Sequence, residues 1–163
     1  MVYNLSLHYT QNVEDAEEIT QDVFLQVHSE LKSFRAESQL KTWIYRITIN
    51  KSLDYLRGRK AAKRWSLFSA KSISQNEIKL ADSDFNHPGV QLEQKEATET
   101  LFAQINQLPE NQKTVLILLK IEGLDMKEAC EVMNLSYKAV ESLMQRAKKN
   151  LKEIIIQSKE NEK

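Results

Sequence analysis

The chain of 163 residues is poor in the residues that interrupt helices, with three glycines and two prolines. Runs of alternating, strand-favouring residues are absent, and charged residues make up 28% of the sequence. Together these features predict an all-α fold. The length allows one ordinary domain or two small helical ones, since single domains commonly hold roughly 100–150 residues.

Cysteines, long apolar runs and clustered histidines are scarce as well. Cys130 is the single cysteine, which excludes an internal disulfide and leaves too few thiols for the common structural zinc sites. No stretch approaches the roughly 18 apolar residues of a membrane span, and the N-terminus lacks the order of a signal peptide. His8, His28 and His87 are scattered, and no phosphate-binding glycine loop occurs. We therefore expect a cytoplasmic protein that is not an enzyme and holds no metal or cofactor.

Charge of opposite sign is separated along the chain, although the formal net charge is zero. Residues 41–64 contain one acid, Asp54, among many bases, whereas residues 14–37 are rich in acids. A zero net charge argues against a nucleic-acid partner, but a local basic surface restores that possibility. The two blocks suggest two partner surfaces of opposite charge; the alternative is that both are solvated helix faces.

The N-terminal third shows the period of amphipathic helices. Between residues 12 and 32, apolar side chains recur at three- and four-residue steps, which predicts a helix with one buried face and one acidic face. The predicted buried set is Val13, Ala16, Ile19, Val23, Phe24, Val27 and Leu31. We expect a loop over residues 33–42, then a second helix that starts near Trp43 and ends near Gly58. Residues 65–91 are polar and aperiodic, which predicts a long flexible linker.

The C-terminal part predicts a helix-turn-helix. Asp125 and Glu128 have the spacing of a capping box at the start of a short helix. Asn134 can adopt the left-handed backbone of the turn that follows. Ser136 can then cap a long terminal helix that runs to about Gln157. An ordinary helical hairpin would show the same two-helix pattern, so the alternative to DNA binding stays open here.

The second helix of this motif presents a polar outer face of the kind that reads the major groove. That face holds Tyr137, Lys138, Glu141, Ser142, Gln145, Arg146 and Lys149. Glu141 is unusual on such a face because a carboxylate can only accept hydrogen bonds. It either accepts from the exocyclic amine of cytosine or is a solvated charge that DNA repels slightly.

Three segments resemble the extracytoplasmic-function sigma factors of bacterial RNA polymerase, in the order in which that family has them. Residues 15–31, DAEEITQDVFLQVHSEL, are similar to the helix that docks on the polymerase clamp. Residues 34–60, FRAESQLKTWIYRITINKSLDYLRGRK, are similar to the promoter-melting domain. Residues 108–152, LPENQKTVLILLKIEGLDMKEACEVMNLSYKAVESLMQRAKKNLK, are similar to the second DNA-binding domain.

This resemblance implies a sigma factor that directs RNA polymerase to promoters. It implies two small helical domains, at residues 1–64 and 92–163, joined by a flexible linker at residues 65–91. The implied partners are core RNA polymerase, promoter DNA in duplex and melted form, and an anti-sigma factor. Met1 then falls inside the first long helix of the first domain, so that we expect this helix to be truncated. The recognition helix also departs from the family, which often has bases where this chain has Glu141 and Leu143.

The resemblance also assigns roles to residues, because in the family the loop that matches residues 33–42 captures a flipped base of the minus-ten element. The implied minus-ten contacts are Phe34, Arg35, Glu37, Ser38, Gln39, Lys41, Arg46, Asn50, Arg57 and Arg59. The implied minus-thirty-five contacts are Ser136, Tyr137, Lys138, Glu141, Ser142, Gln145, Arg146 and Lys149. The implied polymerase contacts are Asp15, Glu18, Asp22 and Gln26.

Two aromatic residues after the loop have different expected roles. Trp43 follows the apolar period of its helix, which favours a core role over stacking on a base. Tyr45 is out of phase with Trp43 and is the better stacking candidate.

Two other classes of protein compete with a sigma factor. A free-standing helix-turn-helix regulator would bind duplex DNA without polymerase, but it explains only the C-terminal third. A helical adaptor that binds proteins alone leaves the basic residues 41–64 without a purpose.

Overall fold

The computed structural model describes residues 1–70 and 92–161, with side chains described for residues 1–66 and 97–160. All regular structure in this part of the chain is helical, which confirms the predicted fold class. The α-helices are α1 Val2–Thr10, α2 Val13–Glu30, α3 Leu40–Ala70, α4 Leu92–Ile105, α5 Glu110–Leu116, α6 Met126–Met133 and α7 Tyr137–Asn161. A short 3₁₀ helix at Leu31–Ser33 follows α2, and a π-helical turn at Ile117–Ile121 continues α5. Most of the predicted linker, residues 71–91, lies outside the described residues.

Helices α1, α2 and α3 form the N-terminal lobe. Gln11 turns the chain between α1 and α2 with a left-handed backbone, φ 56°, and Asn12 caps α2 by accepting from the Asp15 amide at 2.8 Å. Apolar residues from the three helices meet inside, with Val2, Ile19, Val23 and Ile47 at the centre of one cluster. Burial of each such side chain stabilises the lobe by roughly 1.5–3 kcal/mol relative to exposure.

Two expectations for this lobe were wrong. Phe24 and Leu31 follow the apolar period of α2 but are 57% and 49% exposed, because the other helices cover only the face that carries Ile19 and Val23. Helix α3 does not end near Gly58 but continues to Ala70. A glycine inside a helix costs only about 1 kcal/mol, and the alanine and basic residues that follow Gly58 favour helix.

Helices α4 to α7 form the C-terminal lobe. Gly123 adopts φ +70° where the chain leaves the π turn, a conformation that suits a residue without a Cβ. The predicted capping box is present, with the Glu128 amide donating to Asp125 Oδ1 at 2.7 Å and the Asp125 amide donating to Glu128 Oε2 at 2.9 Å. Asn134 is left-handed, φ 52°, and the Ala139 amide donates to Ser136 Oγ at 3.4 Å at the start of α7. These local predictions are confirmed.

The two lobes pack against each other through a shared apolar core. Leu5 and Tyr9 of α1 and Ile49 of α3 belong to the same buried cluster as Phe102 and Ile117 of the C-terminal lobe. Buried polar contacts cross the same boundary. The Tyr9 and Thr114 hydroxyls lie 2.7 Å apart, and the fully buried Tyr9 ring is held in place by that bond.

Glu122 connects three parts of this boundary. Its carboxylate accepts from the Tyr45 hydroxyl at 3.0 Å and lies 3.2 Å from His8 Nδ1. Burial alone would raise the pKa of Glu122, but the hydrogen bonds from His8 and Tyr45 outweigh burial and lower it. Glu122 is therefore held as a carboxylate between the lobes.

Candidate nucleic-acid interface

The loop before α3 forms one wall of a cleft. The chain is extended at Phe34, φ −65° and ψ 114°, and left-handed at Ala36, φ 54°. The Phe34 ring lies 5.1 Å from the Trp43 ring, centroid to centroid, at 38°. The cleft has a volume of about 420 Å³, within the range of roughly 300–1,000 Å³ typical of ligand pockets. Its lining residues are Glu30, Ser33, Phe34, Arg35, Glu37, Ser38, Trp43 and Arg46.

The structure brings half of the predicted minus-ten residues together in this cleft. Those that line it are Phe34, Arg35, Glu37, Ser38 and Arg46. The others lie outside its lining, on the loop or farther along α3: Gln39, Lys41, Asn50, Arg57 and Arg59. Phosphate contacts do not need to lie inside a base pocket, so the two groups suit different parts of a nucleotide.

Sequence reasoning missed three residues of the cleft and misplaced one aromatic side chain. Glu30, Ser33 and Trp43 line the cleft as well. Trp43 is half-buried and packs on the N-terminal core with one part of its ring while it faces Phe34, so the expected core role is only part of its position. Tyr45 is 3% exposed, which contradicts the expectation that it could stack on a base. The C-terminal lobe, including Glu122, covers Tyr45. The sequence of the N-terminal lobe alone carries no signal of that contact.

The cleft combines flat apolar walls with charged edges. Arg35 Nη1 lies 3.9 Å from Glu37 Oε1, and both side chains are largely exposed. Arg46 donates to the carbonyl oxygen of Glu131, with Nε at 3.2 Å, and so joins the cleft to α6. Such a site can hold an aromatic ring against Phe34 and offer donors and acceptors to the ring edge.

The bases of α3 outside the cleft are partly neutralised by acids. Lys41 Nζ lies 3.4 Å from Glu128 Oε1. Arg57 donates to both carboxylate oxygens of Glu110, at 3.2 and 2.6 Å, and this pairing lowers the pKa of Glu110. Arg59 pairs with Asp15 of the N-terminal lobe. Lys41 and Arg57 therefore tie α3 to the C-terminal lobe, and a phosphate would compete with those carboxylates.

The predicted polymerase contacts on α2 differ in how far they are available. The Asp15 carboxylate accepts from the Tyr55 hydroxyl at 2.7 Å and pairs with Arg59. Burial, together with the hydrogen bond to Asp15, raises the pKa of Tyr55 to about 12. Glu18, Asp22 and Gln26 lie at or near the surface, with Asp22 Oδ2 3.3 Å from Lys51 Nζ and Gln26 Nε2 3.0 Å from Glu30 Oε1. Asp15 thus belongs to the internal packing of the lobe more than to its surface.

Helix α2 also exposes apolar side chains, among them Phe24, which the sequence pattern predicts to be buried. Phe24 and Leu25 are 57% and 69% exposed, and the exposed Leu31 follows in the 3₁₀ helix after α2. Exposed apolar side chains next to acids are typical of a protein-binding surface. The sequence does contain a signal for this surface: α2 carries apolar residues on two adjacent faces, although one buried face would need apolar residues on one face alone.

The predicted outer face of α7 lies at the surface. Its exposed members are Tyr137, Lys138, Glu141, Gln145, Arg146 and Lys149, with Ser142 half-buried and Ser136 exposed just before the helix. Val140, Met144 and Ala147 are buried on the opposite side. Lys149 Nζ lies 4.0 Å from Glu153 Oε1, an exposed pair that leaves the lysine available.

The described residues hold no group of three or more side chains suited to binding a metal ion. Within the same residues, no helix combines the length and apolar character needed to cross a membrane.

Comparison with known structures shows the same fold. The sigma factor RpoE in complex with the anti-sigma factor NepR from Bartonella quintana matches with a TM-score of 0.63 and 18% identity, over 94% of this chain and 89% of that one. CnrH in complex with the cytosolic domain of CnrY matches with a TM-score of 0.65 and 21% identity, over 94% and 79%.

Curated relatives match along nearly the whole chain. The RNA polymerase sigma factor YlaC of Bacillus subtilis is 28% identical over 162 residues, 99% of this chain and 90% of YlaC. The ECF RNA polymerase sigma factor SigM of the same organism is 29% identical over 93% of this chain and 86% of SigM. The RNA polymerase sigma-H factor of Pseudomonas aeruginosa is 29% identical over 90% and 76%.

Two family models match in the order of the lobes. Residues 1–62 match Sigma-70 region 2, and residues 98–151 match Sigma-70, region 4. The first range contains the cleft and most of α3, and the second contains the helix-turn-helix. With both regions present and the relatives matched almost end to end, the chain belongs to the extracytoplasmic-function sigma factors, which direct RNA polymerase to promoters.

Proposed function

We propose that this sigma factor captures a base of the melted minus-ten element in the cleft beside Phe34 and reads the duplex minus-thirty-five element with α7. One observation carries the proposal: two aromatic rings line an open cleft in the lobe that matches region 2, beside a helix rich in bases. The protein is a non-enzymatic subunit of the polymerase. It acts in the bacterial cytoplasm and reaches the nucleoid through polymerase.

In the cleft, Phe34 and Trp43 supply the surfaces on which a flipped base packs. Stacking of a base on an aromatic side chain is worth about 1–3 kcal/mol and suits any base. Selectivity then comes from the polar rim, where Arg35, Glu37 and Ser38 can bond the edge of the base. The outlying residues Gln39, Lys41, Asn50, Arg57 and Arg59 hold the adjacent sugar-phosphate backbone.

On α7, the exposed side chains enter the major groove of the minus-thirty-five element. The hydrogen-bond donors on this face are Ser136, Tyr137, Lys138, Ser142, Gln145, Arg146 and Lys149. Glu141 supplies an acceptor for cytosine or is merely tolerated. The helix-turn-helix geometry supports this role, because the buried residues Val140 and Ala147 fix which face points outward.

Helix α2 docks on core RNA polymerase. The surface that supports this docking combines Glu18, Asp22 and Gln26 with the exposed Phe24 and Leu25. Charge on such a rim steers association, and the apolar side chains supply most of the affinity. Asp15 acts through the packing of α2 on α3.

We also infer an anti-sigma factor as a regulatory partner. RpoE of Bartonella quintana, which shares this fold, is seen in complex with the anti-sigma factor NepR, and CnrH, which also shares it, in complex with the cytosolic domain of CnrY. The inference rests on family membership together with those complexes.

Mixing the purified chain with sigma-free core polymerase tests the proposal. We expect a stable complex and promoter-specific transcripts, with little specific DNA binding by the chain alone, because in the free chain the two lobes pack on each other and Lys41 and Arg57 are paired with acids of the C-terminal lobe. Tight, sequence-specific binding without polymerase would instead favour a free-standing regulator.

Substitutions on α2 test the docking surface in the same assay. We expect Phe24→Ser with Leu25→Ser to weaken the complex about tenfold or more, since interface anchors are often worth more than about 1 kcal/mol each. Glu14→Ser with Glu17→Ser is the matched control, because it changes two exposed residues of the same helix. Unchanged binding by Phe24→Ser with Leu25→Ser would place the docking surface elsewhere, and an equal loss in the control pair would show that the loss is not specific to these apolar side chains.

A further inference from the structure

A second cavity lies at the boundary between the lobes and takes no part in the proposed promoter contacts. Its volume is about 580 Å³, and it shares no described lining residue with the cleft beside Phe34. His8 of α1 forms one wall, and α4, α5, the π turn and α7 of the C-terminal lobe form the others. A volume in this range is typical of sites for small ligands.

The cavity is an apolar recess. Phe102 and Ile105 of α4 line it and are 6% and 2% exposed, while Leu116 and Leu151 line it from α5 and α7. Leu101, which is 43% exposed, belongs to the same lining. Protein interiors are close-packed, so apolar space that side chains leave unfilled gains contacts when an apolar group enters it. Protein-binding surfaces, by contrast, present broad exposed apolar patches. The recess therefore suits the apolar body of a small molecule.

The π turn that follows α5 contributes to this recess. The Glu122 amide donates to the Ile117 carbonyl oxygen, five residues back, at 2.9 Å. Lys120 and Ile121 of the same turn line the recess. Single π turns within helices are rare and occur frequently at functional sites. The backbone of the turn is therefore an indication of a binding site that does not depend on the volume of the cavity.

Lys120 gives the recess a positive charge. It is exposed and, among the described residues, forms no ion pair. None of the described lining residues is an acid. His8 also lines the recess, but its ring stacks on Phe102 at 5.4 Å between centres and its Nδ1 lies 3.2 Å from the Glu122 carboxylate. An ammonium group without an acidic partner, next to apolar walls, complements a ligand with an apolar body and one anionic group.

We propose that this recess binds an anionic amphiphile, with its apolar body against Phe102, Ile105 and Leu151 and its carboxylate at Lys120, and that the bound ligand holds the lobes together. His8 comes from the N-terminal lobe and the other described lining residues come from the C-terminal lobe. The complete site therefore exists when the lobes pack on each other. A ligand that binds one arrangement of a protein stabilises that arrangement against the others.

The effect on the lobes rests on the proposed function. In the packed arrangement, Lys41 and Arg57 pair with Glu128 and Glu110, so these bases become available to phosphates when the lobes separate. A ligand that keeps the lobes packed then competes with the form that reads a promoter on polymerase. The recess thereby makes promoter recognition respond to a small molecule.

Isothermal titration calorimetry of the full chain with decanoate and with decan-1-ol, at two temperatures, tests the anionic part of the site. Lys120→Ala should weaken the binding of decanoate about three- to fivefold, the effect of losing an exposed ion pair, and leave that of decanol unchanged. Lys127→Ala removes a charge from an exposed position of α6 and should change neither.

The same titrations test the apolar part of the site. Leu101→Ser should weaken both probes about fivefold or more, because apolar surface that the ligand covers is lost. Leu40→Ser is the matched control, since Leu40 of α3 is 44% exposed and Leu101 is 43% exposed. It should leave the binding of both probes as it is.

Complex formation with core polymerase tests the effect on the lobes. Decanoate at ten times its Kd should weaken the complex about tenfold, because a ligand specific to the packed arrangement raises the apparent Kd for polymerase by one plus the ratio of its concentration to its own Kd. Leu101→Ser should remove most of this effect, which separates it from any action of decanoate on polymerase itself. Binding to core polymerase without decanoate reports on the proposed function alone.

Three results would overturn the proposal. No binding of decanoate at either temperature would show that the recess takes no such ligand. Equal effects of Lys120→Ala on both probes, or of Leu101→Ser and Leu40→Ser on either, would show amphiphile binding without a specific site. A complex with polymerase that decanoate leaves unchanged, although calorimetry shows that it binds the chain, would show that the ligand does not hold the lobes together.

Discussion

Lys113 is a charged side chain almost completely enclosed between the lobes. It is 5% exposed, and its Nζ donates to the Tyr9 carbonyl oxygen at 3.1 Å and lies 4.7 Å from the centre of the Tyr9 ring. Burial lowers the pKa of Lys113 to about 8. One hydrogen bond and a ring face do not replace the water that an ammonium group loses, so its charged form is disfavoured in the folded protein.

This shift predicts a dependence of stability on pH. A lysine in the unfolded chain has a pKa near 10.4, so between about pH 8 and pH 10 the unfolded chain binds more protons than the folded one. The free energy of unfolding should therefore rise with pH in that window, by at most about 1.4 kcal/mol per unit. Urea denaturation of the wild type and of Lys113→Met checks this, because their difference cancels the titration of Cys130 and the tyrosines. Parallel pH profiles would contradict the prediction.

At the scale of elements, the turn between α6 and α7 depends on one backbone conformation. Asn134 has φ 52°, and its amide donates to the Glu131 carbonyl oxygen at 3.3 Å, while the Leu135 amide donates to that of Cys130 at 3.1 Å. Asparagine and glycine tolerate this left-handed region better than other residues do.

Asn134 therefore offers a matched pair of substitutions. We expect Asn134→Ala to lower the free energy of unfolding by about 1–2 kcal/mol, the usual cost of a left-handed conformation for a residue with a Cβ. Asn134→Gly should change it by less than about half of that. Thermal denaturation of both variants is the measurement, and equal losses would show that the Asn134 side chain, and not its backbone, holds the turn.

Elements differed in how well the sequence predicted them. Caps and turns such as Asp125, Asn134 and Ser136 were predicted correctly because their signals lie within a few residues. The end of α3 was placed at Gly58 because a single glycine weighs heavily in a pattern but little in free energy. The cleft was predicted in part: its loop is local, whereas Glu30 and Ser33 reach it from the end of α2 and the 3₁₀ helix that follows, and carry no signal of their own.

Over the whole molecule, the shared core links the stability of the two lobes. Burial of Tyr45 was missed because Glu122, its hydrogen-bond partner, is far away in the sequence. The same contacts mean that the N-terminal lobe cannot lose its core without exposing apolar surface of the C-terminal lobe, such as Phe102 and Ile117.

We expect the chain to unfold in one cooperative transition. Leu5→Ala, at a position with no exposure in α1, should cost about 2–5 kcal/mol and shift the whole calorimetric transition. Leu25→Ala, at an exposed position of α2, should leave that transition in place. Two separate transitions, with only one displaced by Leu5→Ala, would show that the lobes unfold independently.

The contacts of α3 with the C-terminal lobe affect how the protein is distributed in a cell. Lys41, Arg46 and Arg57 are engaged there by Glu128, the Glu131 carbonyl and Glu110. If these bases hold phosphates on a promoter, the same cations are occupied while the chain is alone. A chromosome offers about 10⁶–10⁹ competing sites, and attraction to them grows with the number of cations that phosphates can pair with. Pairing of these bases within the chain therefore weakens binding to non-promoter DNA. More of the free protein then remains available to bind polymerase.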